Sequence, residues 1–229
     1  MLPEGLVMTI NAQNKIQAVL FDLDGTLLDT ANDLGEALNY ILRKYNLPII
    51  AREQYRPVAS DGALGLLTLG FKDQLINFDY DDLRNQFLAY YQENIASHTC
   101  LYSGVNELLS RLNTENIPWG IVTNKPEGLT KQLLPYFPEF EKCAVMVGGD
   151  TLSTRKPDPE PLFFACAQIN VDPKQCLYVG DALRDIEAGN NAGMKTYIAK
   201  WGYIKSNENI ERWQADFIIK TPQELYSIR

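Results

Sequence analysis

The chain has 229 residues, more than the roughly 100–200 of a single domain and too few for two full ones, so a core domain with a smaller insertion is expected. Hydrophobic residues make up 45% and charged residues 22%, which excludes a disordered chain because this composition can bury a sizeable core. A net charge of -8 argues against a polyanion such as DNA or RNA as the main partner, while a locally positive pocket could still take a small anion.

The first residues, Met1 to Lys15, show no basic start followed by an apolar run, so they read as a frayed terminus and not as a signal peptide. No later stretch approaches the roughly 18 apolar residues of a membrane helix. Cys100, Cys143, Cys166 and Cys176 form no Cys-x-x-Cys pair and sit mostly in apolar stretches, which points to buried free thiols rather than disulfides or a zinc site. The expectation is a soluble, cytoplasmic protein with no nucleic-acid or membrane partner.

Six short apolar runs punctuate the chain: Ala18 to Phe21, Trp119 to Val122, Ala144 to Val147, Leu177 to Val179, Thr196 to Ala199 and Phe217 to Ile219. Helical patterns lie between them, for example Gly104 to Leu112 and Pro161 to Ile169, and this alternation predicts an α/β fold with a mostly parallel, doubly wound sheet. Ligands bind such sheets at the carboxyl ends of the strands.

Between the first run and the second there is no convincing strand, but apolar periodicity recurs at Leu34 to Tyr45, Ala63 to Leu69 and Leu83 to Ile95. So long a connection is no structureless loop in a compact domain. The expected division is a core of residues 1–30 and 100–229 with an inserted α-helical domain over 31–99, joined through Asp29 to Asn32 and Thr99 to Gly104 as two hinge segments. The lone His98 beside the second crossing has no partner signal and is given no catalytic role.

The chemistry gathers where strands end. After the first run comes Asp22-Leu23-Asp24-Gly25-Thr26, two carboxylates two residues apart before a glycine turn, suited to one ionised nucleophile or metal ligand and one proton carrier. Its bland alternative is an Asp-Gly turn with a helix cap. After the second run, Thr123 and Asn124 precede Lys125, and a hydroxyl there could donate to a phosphoryl oxygen. Lys156 follows in a segment stiffened by Pro157 and Pro159. Behind the fourth run, Gly180-Asp181 leads to Asp185, and an Asp185 in the first turn of a helix would share the mouth with Asp181.

These four motifs, in this order, resemble those of haloacid dehalogenase superfamily phosphatases, whose first motif has the form Asp-x-Asp-x-Thr. The resemblance runs from Ile16 to the C-terminus and places the helical insertion where that superfamily carries an α-helical cap. It implies a Mg²⁺-dependent phosphomonoester hydrolase acting through an aspartyl phosphate. Asp22 is then the nucleophile and Asp24 the general acid and base; Asp22, Asp181 and the main-chain carbonyl of Asp24 ligate the metal, with Asp185 a ligand or supporting acid. Thr123, Asn124 and Lys156 would hold the transferring phosphoryl group.

The acid at Asp24 separates this reading from a signalling receiver or a metal-free dehalogenase, whereas a phosphomutase keeps every core motif. Pro118 to Pro126 and Trp201-Gly202-Tyr203 look most like the phosphoglycolate phosphatase group. Ser60-Asp61-Gly62-Ala63, Lys156 to Pro161 and the Trp213 to Asp216 tail also resemble its members that act on N-acetylmuramic acid 6-phosphate. Phosphoglycolate-type activity is the first expectation, with selection of a small phosphorylated metabolite through Ser60 to Gly62, Lys125 and Arg184. The sequence sets no oligomeric state.

Overall fold

A computed structural model describes residues 16–227, so the expectation for Met1 to Lys15 lies outside the described residues. The chain runs β1 (Ala18–Phe21), β2 (Leu28–Asp29), α1 (Ala31–Lys44), α2 (Arg52–Tyr55), α3 (Gly62–Phe71), α4 (Tyr80–Glu93) and β3 (Cys100–Leu101). It continues through α5 (Val105–Thr114), β4 (Trp119–Val122), α6 (Glu127–Leu133), β5 (Val145–Val147), α7 (Glu160–Ile169), β6 (Cys176–Gly180), α8 (Leu183–Asn191), β7 (Lys195–Ala199) and β8 (Phe217–Ile219). Six strands form one sheet in the order β5-β4-β1-β6-β7-β8, and every neighbouring pair is parallel.

The apolar runs are continuous, not alternating, because helices cover both faces of the sheet. Along β1, Val19 and Phe21 join a cluster with Leu108 and Leu109 of α5, whereas Ala18 and Leu20 join one with Leu162 and Ala165 of α7 and Ala188 of α8. Both faces are therefore dry, and only the strand ends can meet a ligand.

The helical insertion follows from apolar spacing. Leu34, Leu38, Ile41 and Leu42 are buried on one side of α1, and Tyr45, Phe71 and Phe78 meet edge to face beyond it, with centroids 5.0–5.8 Å apart. Where the chain leaves and re-enters the core, β2 and β3 pair antiparallel, Leu28 with Leu101 and Asp29 with Cys100. This ribbon was not expected from the sequence, since two residues per strand carry no periodicity.

Asp33, buried in the first turns of α1, holds the returning strand: its carboxylate accepts from the main-chain N–H of His98 (2.9 Å) and Thr99 (2.9 Å) and from the Thr99 hydroxyl (2.6 Å). The His98 side chain itself is exposed. Among the cysteines all four are free, but Cys100 is exposed, contrary to the expectation of burial, while the Cys166 and Cys176 thiols lie buried 3.3 Å apart. No described helix is long and apolar enough to cross a membrane.

Asp33→Ala leaves these donors unpaired at the junction, and the expected cost is roughly 2 kcal/mol or more of unfolding free energy. Urea denaturation measures it, and a loss below about 0.5 kcal/mol would show that Asp33 does not tie the two crossings together.

Candidate active site

The register pairs Phe21 with Ile121 on one side and with Val179 on the other, so β1, β4 and β6 finish side by side. Asp22, Thr123 and Asp181 each follow one of these ends. From β1 the sheet grows first toward β5 and later toward β8, which makes this edge the topological switch point where open α/β sheets form crevices.

Lys156 is the centre of the cluster. Its ammonium donates to the Val122 carbonyl (2.8 Å) and the Tyr178 hydroxyl (2.7 Å). It also lies 3.0 Å from Asp22 Oδ1 and 2.8 Å from Asp185 Oδ1, as close ion pairs whose angles leave both oxygens outside hydrogen-bond geometry. All these groups are buried. Asp185 serves two masters: its Oδ2 accepts from the Ala182 N–H (2.9 Å) in the first turn of α8, and its Oδ1 faces Lys156.

Asp181 completes the set, accepting from Thr26 Oγ1 (3.1 Å), the Tyr203 N–H (2.8 Å) and Ser60 Oγ (3.3 Å). Glycines make room for it. A Cβ on Gly25, whose φ is +92°, or on Gly202 would come within 2.2 Å of the Asp181 side chain, so neither position accepts any other residue unchanged. Burial first, then the Asp22 and Asp185 charges, push the Asp181 carboxyl up to about 8. Burial likewise raises Asp185, with Lys156 pulling the other way.

One oxygen from each of Asp22, Asp181 and Asp185 lies within 4.8 Å of the others. Three hard oxygen donors, two of them buried without a hydrogen bond, fit a small divalent cation such as Mg²⁺. The sequence placed Asp24 among the ligands and Asp185 beside them. In the structure the Asp24 carboxylate accepts from Thr30 Oγ1 (2.6 Å) and Lys125 Nζ (3.1 Å). The ligand role expected of Asp24 was that of its main-chain carbonyl, and the position of the carboxylate leaves that expectation untouched.

Lys125 is fixed between core and insertion, 3.1 Å from Asp24 and donating to Tyr91 Oη of α4 at 2.7 Å. Burial works against its charge, but Asp24 and Tyr91 outweigh it and hold the ammonium above the ordinary lysine range. Thr123 Oγ1 accepts from the Lys125 N–H (3.2 Å), leaving its own hydrogen free to donate. Asn124 donates to the Lys156 carbonyl (2.9 Å) while its buried Oδ1 has no partner.

A cavity of about 990 Å³ opens over these residues, floored by Asp22, Asp24, Thr123 and Lys156 and walled by the insertion through Ser60, Arg84, Phe87 and Tyr91. Arg184 donates to the Ser60 carbonyl (2.8 Å), Arg184 and Lys205 pair with Asp61 at 3.6 and 3.1 Å, and Arg56 reaches the Trp201 and Gly202 carbonyls. Sequence reasoning missed Tyr91, Tyr178, Thr30 and Arg56. Of these only Tyr91 fell in an apolar-periodic stretch, Leu83 to Ile95, and a core stripe reads identically.

A doubly wound parallel sheet with an acid-and-lysine centre at its switch point defines an α/β enzyme. The chain belongs to the haloacid dehalogenase-like hydrolase family, whose model matches residues 19–199. It is 43% identical over 210 residues to a phosphoglycolate phosphatase of Xanthomonas campestris pv. campestris, covering 92% of this chain and 95% of that one. It is 39% identical over 214 residues to an N-acetylmuramic acid 6-phosphate phosphatase of Pseudomonas aeruginosa, covering 93% and 95%. A crystal structure described as a predicted phosphoglycolate phosphatase from Haemophilus somnus superposes with a TM-score of 0.84 at 29% identity, covering 93% and 97%.

The raised Asp181 means that the metal-free fold holds a proton there which the unfolded chain, at about 4, releases. That stability is present below about pH 4 and is lost as pH rises toward about 8. A divalent cation held by this cluster would have to displace the proton, so its grip would strengthen over the same window. Melting curves with EDTA or Mg²⁺ should therefore show a larger Mg²⁺-induced rise in Tm at pH 8 than at pH 6; a shift independent of pH would contradict the cluster's role.

Proposed function

We propose that this family member is a phosphatase that hydrolyses a small phosphorylated metabolite through an aspartyl phosphate on Asp22, with Mg²⁺ at Asp22, Asp181 and Asp185. The observation that carries the reading is Lys156, held by Tyr178 and Val122 against two carboxylates. A surface lysine would not be built this way. When bound, Mg²⁺ offsets the repulsion between the carboxylates and an arriving phosphate dianion.

Asp22 attacks phosphorus as the ester P–O bond breaks, and Asp24 gives its proton to the departing alkoxide. Asp24 then takes a proton from the water that attacks the aspartyl phosphate, releasing inorganic phosphate and restoring the Asp22 carboxylate; such proton transfer is worth about a hundredfold to ten-thousandfold. Lys125 and Thr30 aim the Asp24 carboxylate, while Thr123 and Lys156 offer donors to the phosphoryl oxygens. The insertion acts as a cap that bends at 29–32 and 99–104 to admit substrate and exclude water.

Kinship with the phosphoglycolate phosphatases supports phosphoglycolate as substrate. A second reading, N-acetylmuramic acid 6-phosphate, is favoured by the cavity, since about 990 Å³ far exceeds the needs of a two-carbon acid. Phosphomutase activity is the alternative class, and release of inorganic phosphate from a single monoester decides against it.

Asp22→Asn is expected to lower kcat at least about a thousandfold with the fold intact, since an amide cannot attack phosphorus. Asp181→Ala should chiefly raise the Mg²⁺ concentration needed for half-maximal rate. Phosphate release with both substrates checks these outcomes, and near-wild-type turnover by a folded Asp22→Asn enzyme would remove the nucleophile. A cross-link fastening the cap to the core should suppress turnover, and equal rates for locked and free enzyme would rule out obligatory opening.

A further inference from the structure

The two cations that the sequence offered for substrate selection are already engaged. Lys125 is closed in by Asp24 and Tyr91, and Arg184 by Ser60 and Asp61. Arg84 of α4 differs: it is half-buried in the cavity wall, and among the described residues its side chain makes no ion pair or hydrogen bond. Tyr80, Arg84, Phe87, Leu88 and Tyr91 recur at helical spacing and form one stripe of α4 along the cavity. A half-buried guanidinium with no partner of its own gains from an anionic ligand that reaches it.

The stripe also provides a ruler. Tyr91 touches Lys125, which touches Asp24, so Tyr91 marks the phosphoryl end of the cavity. Arg84 stands seven residues earlier on the same helix, about 10 Å away at roughly 1.5 Å per residue. Side chains lean the same way along a helix, which preserves that separation at their tips. In phosphoglycolate three bonds separate phosphorus from the carboxylate carbon, about 4 Å at lengths near 1.5 Å, which is well short of the spacing along the stripe. Arg155, the other uncommitted cation of the cavity, is exposed and adjoins Lys156 at the phosphoryl end.

Resting on the phosphatase reading above, we propose that Arg84 is the subsite for a second anionic group, a carboxylate at the end of the α4 stripe away from the phosphoryl group of a hexose-sized phosphomonoester. Phe87 and Leu88 cover the sugar ring between the two ends. Arg84 is a specificity-determining residue, and a short acid such as phosphoglycolate leaves it unpaired.

The test compares N-acetylmuramic acid 6-phosphate with N-acetylglucosamine 6-phosphate, which has a free 3-hydroxyl in place of the lactyl ether and so carries no carboxylate. The wild type should favour the first in kcat/KM by roughly 10- to 100-fold, mostly through KM, and Arg84→Gln should reduce that ratio to within a few-fold. Arg84→Lys should retain part of it. A ratio of two substrates on one preparation is insensitive to the fraction of folded enzyme. An unchanged ratio in Arg84→Gln, a wild-type ratio near one, or a wild-type preference for phosphoglycolate would overturn the subsite and leave the phosphatase standing. Failure to release phosphate from any monoester with Mg²⁺ present would overturn both.

Discussion

Three buried carboxylates crowd around one buried ammonium, and this imbalance of charge organises everything near it. Asp22, Asp181 and Asp185 together carry more negative charge than Lys156 balances, in a site where burial already penalises ionisation. A cluster of this kind is tolerable only if a further cation enters or a proton stays. The fold supports it with fixed partners: Tyr178 and Val122 for Lys156, Thr26 and the Tyr203 amide for Asp181, Ala182 for Asp185. Gly25 and Gly202 supply the clearance that Asp181 needs.

A second set of contacts ties Asp24 to the helical insertion. Asp24 is gripped by Thr30 at the entry to α1 and by Lys125, which α4 holds through Tyr91. Tyr203 extends the link, accepting from the Thr30 and Ala31 amides while donating to Asp29 at the crossing. Asp24 and the crossing at Asp29 are thus joined through a few hydrogen bonds.

Much of this was legible in the sequence because parallel strands buried on both faces announce themselves as apolar runs. Ala18 to Phe21, Trp119 to Val122 and Phe217 to Ile219 are strands with the very limits the sequence suggested. Asp185 lies in the first turn of its helix and beside Asp181, the position that the sequence suggested for it. What stayed hidden depends on distance in sequence. Tyr91, Tyr178 and Thr30 look like core or surface residues until the fold brings them to Lys125, Lys156 and Asp24. The orientation of the Asp24 carboxylate was equally invisible, since spacing fixes neighbours but not which donor a side chain prefers.

Whether Asp22 forms a covalent bond to phosphorus is the claim on which the rest depends. Rapid quenching of a single turnover into borohydride, followed by peptide mapping, would reduce an aspartyl phosphate to homoserine. Homoserine at position 22 alone is the expected result; its appearance at Asp24, Asp181 or Asp185, or its absence while phosphate is released, would contradict the account.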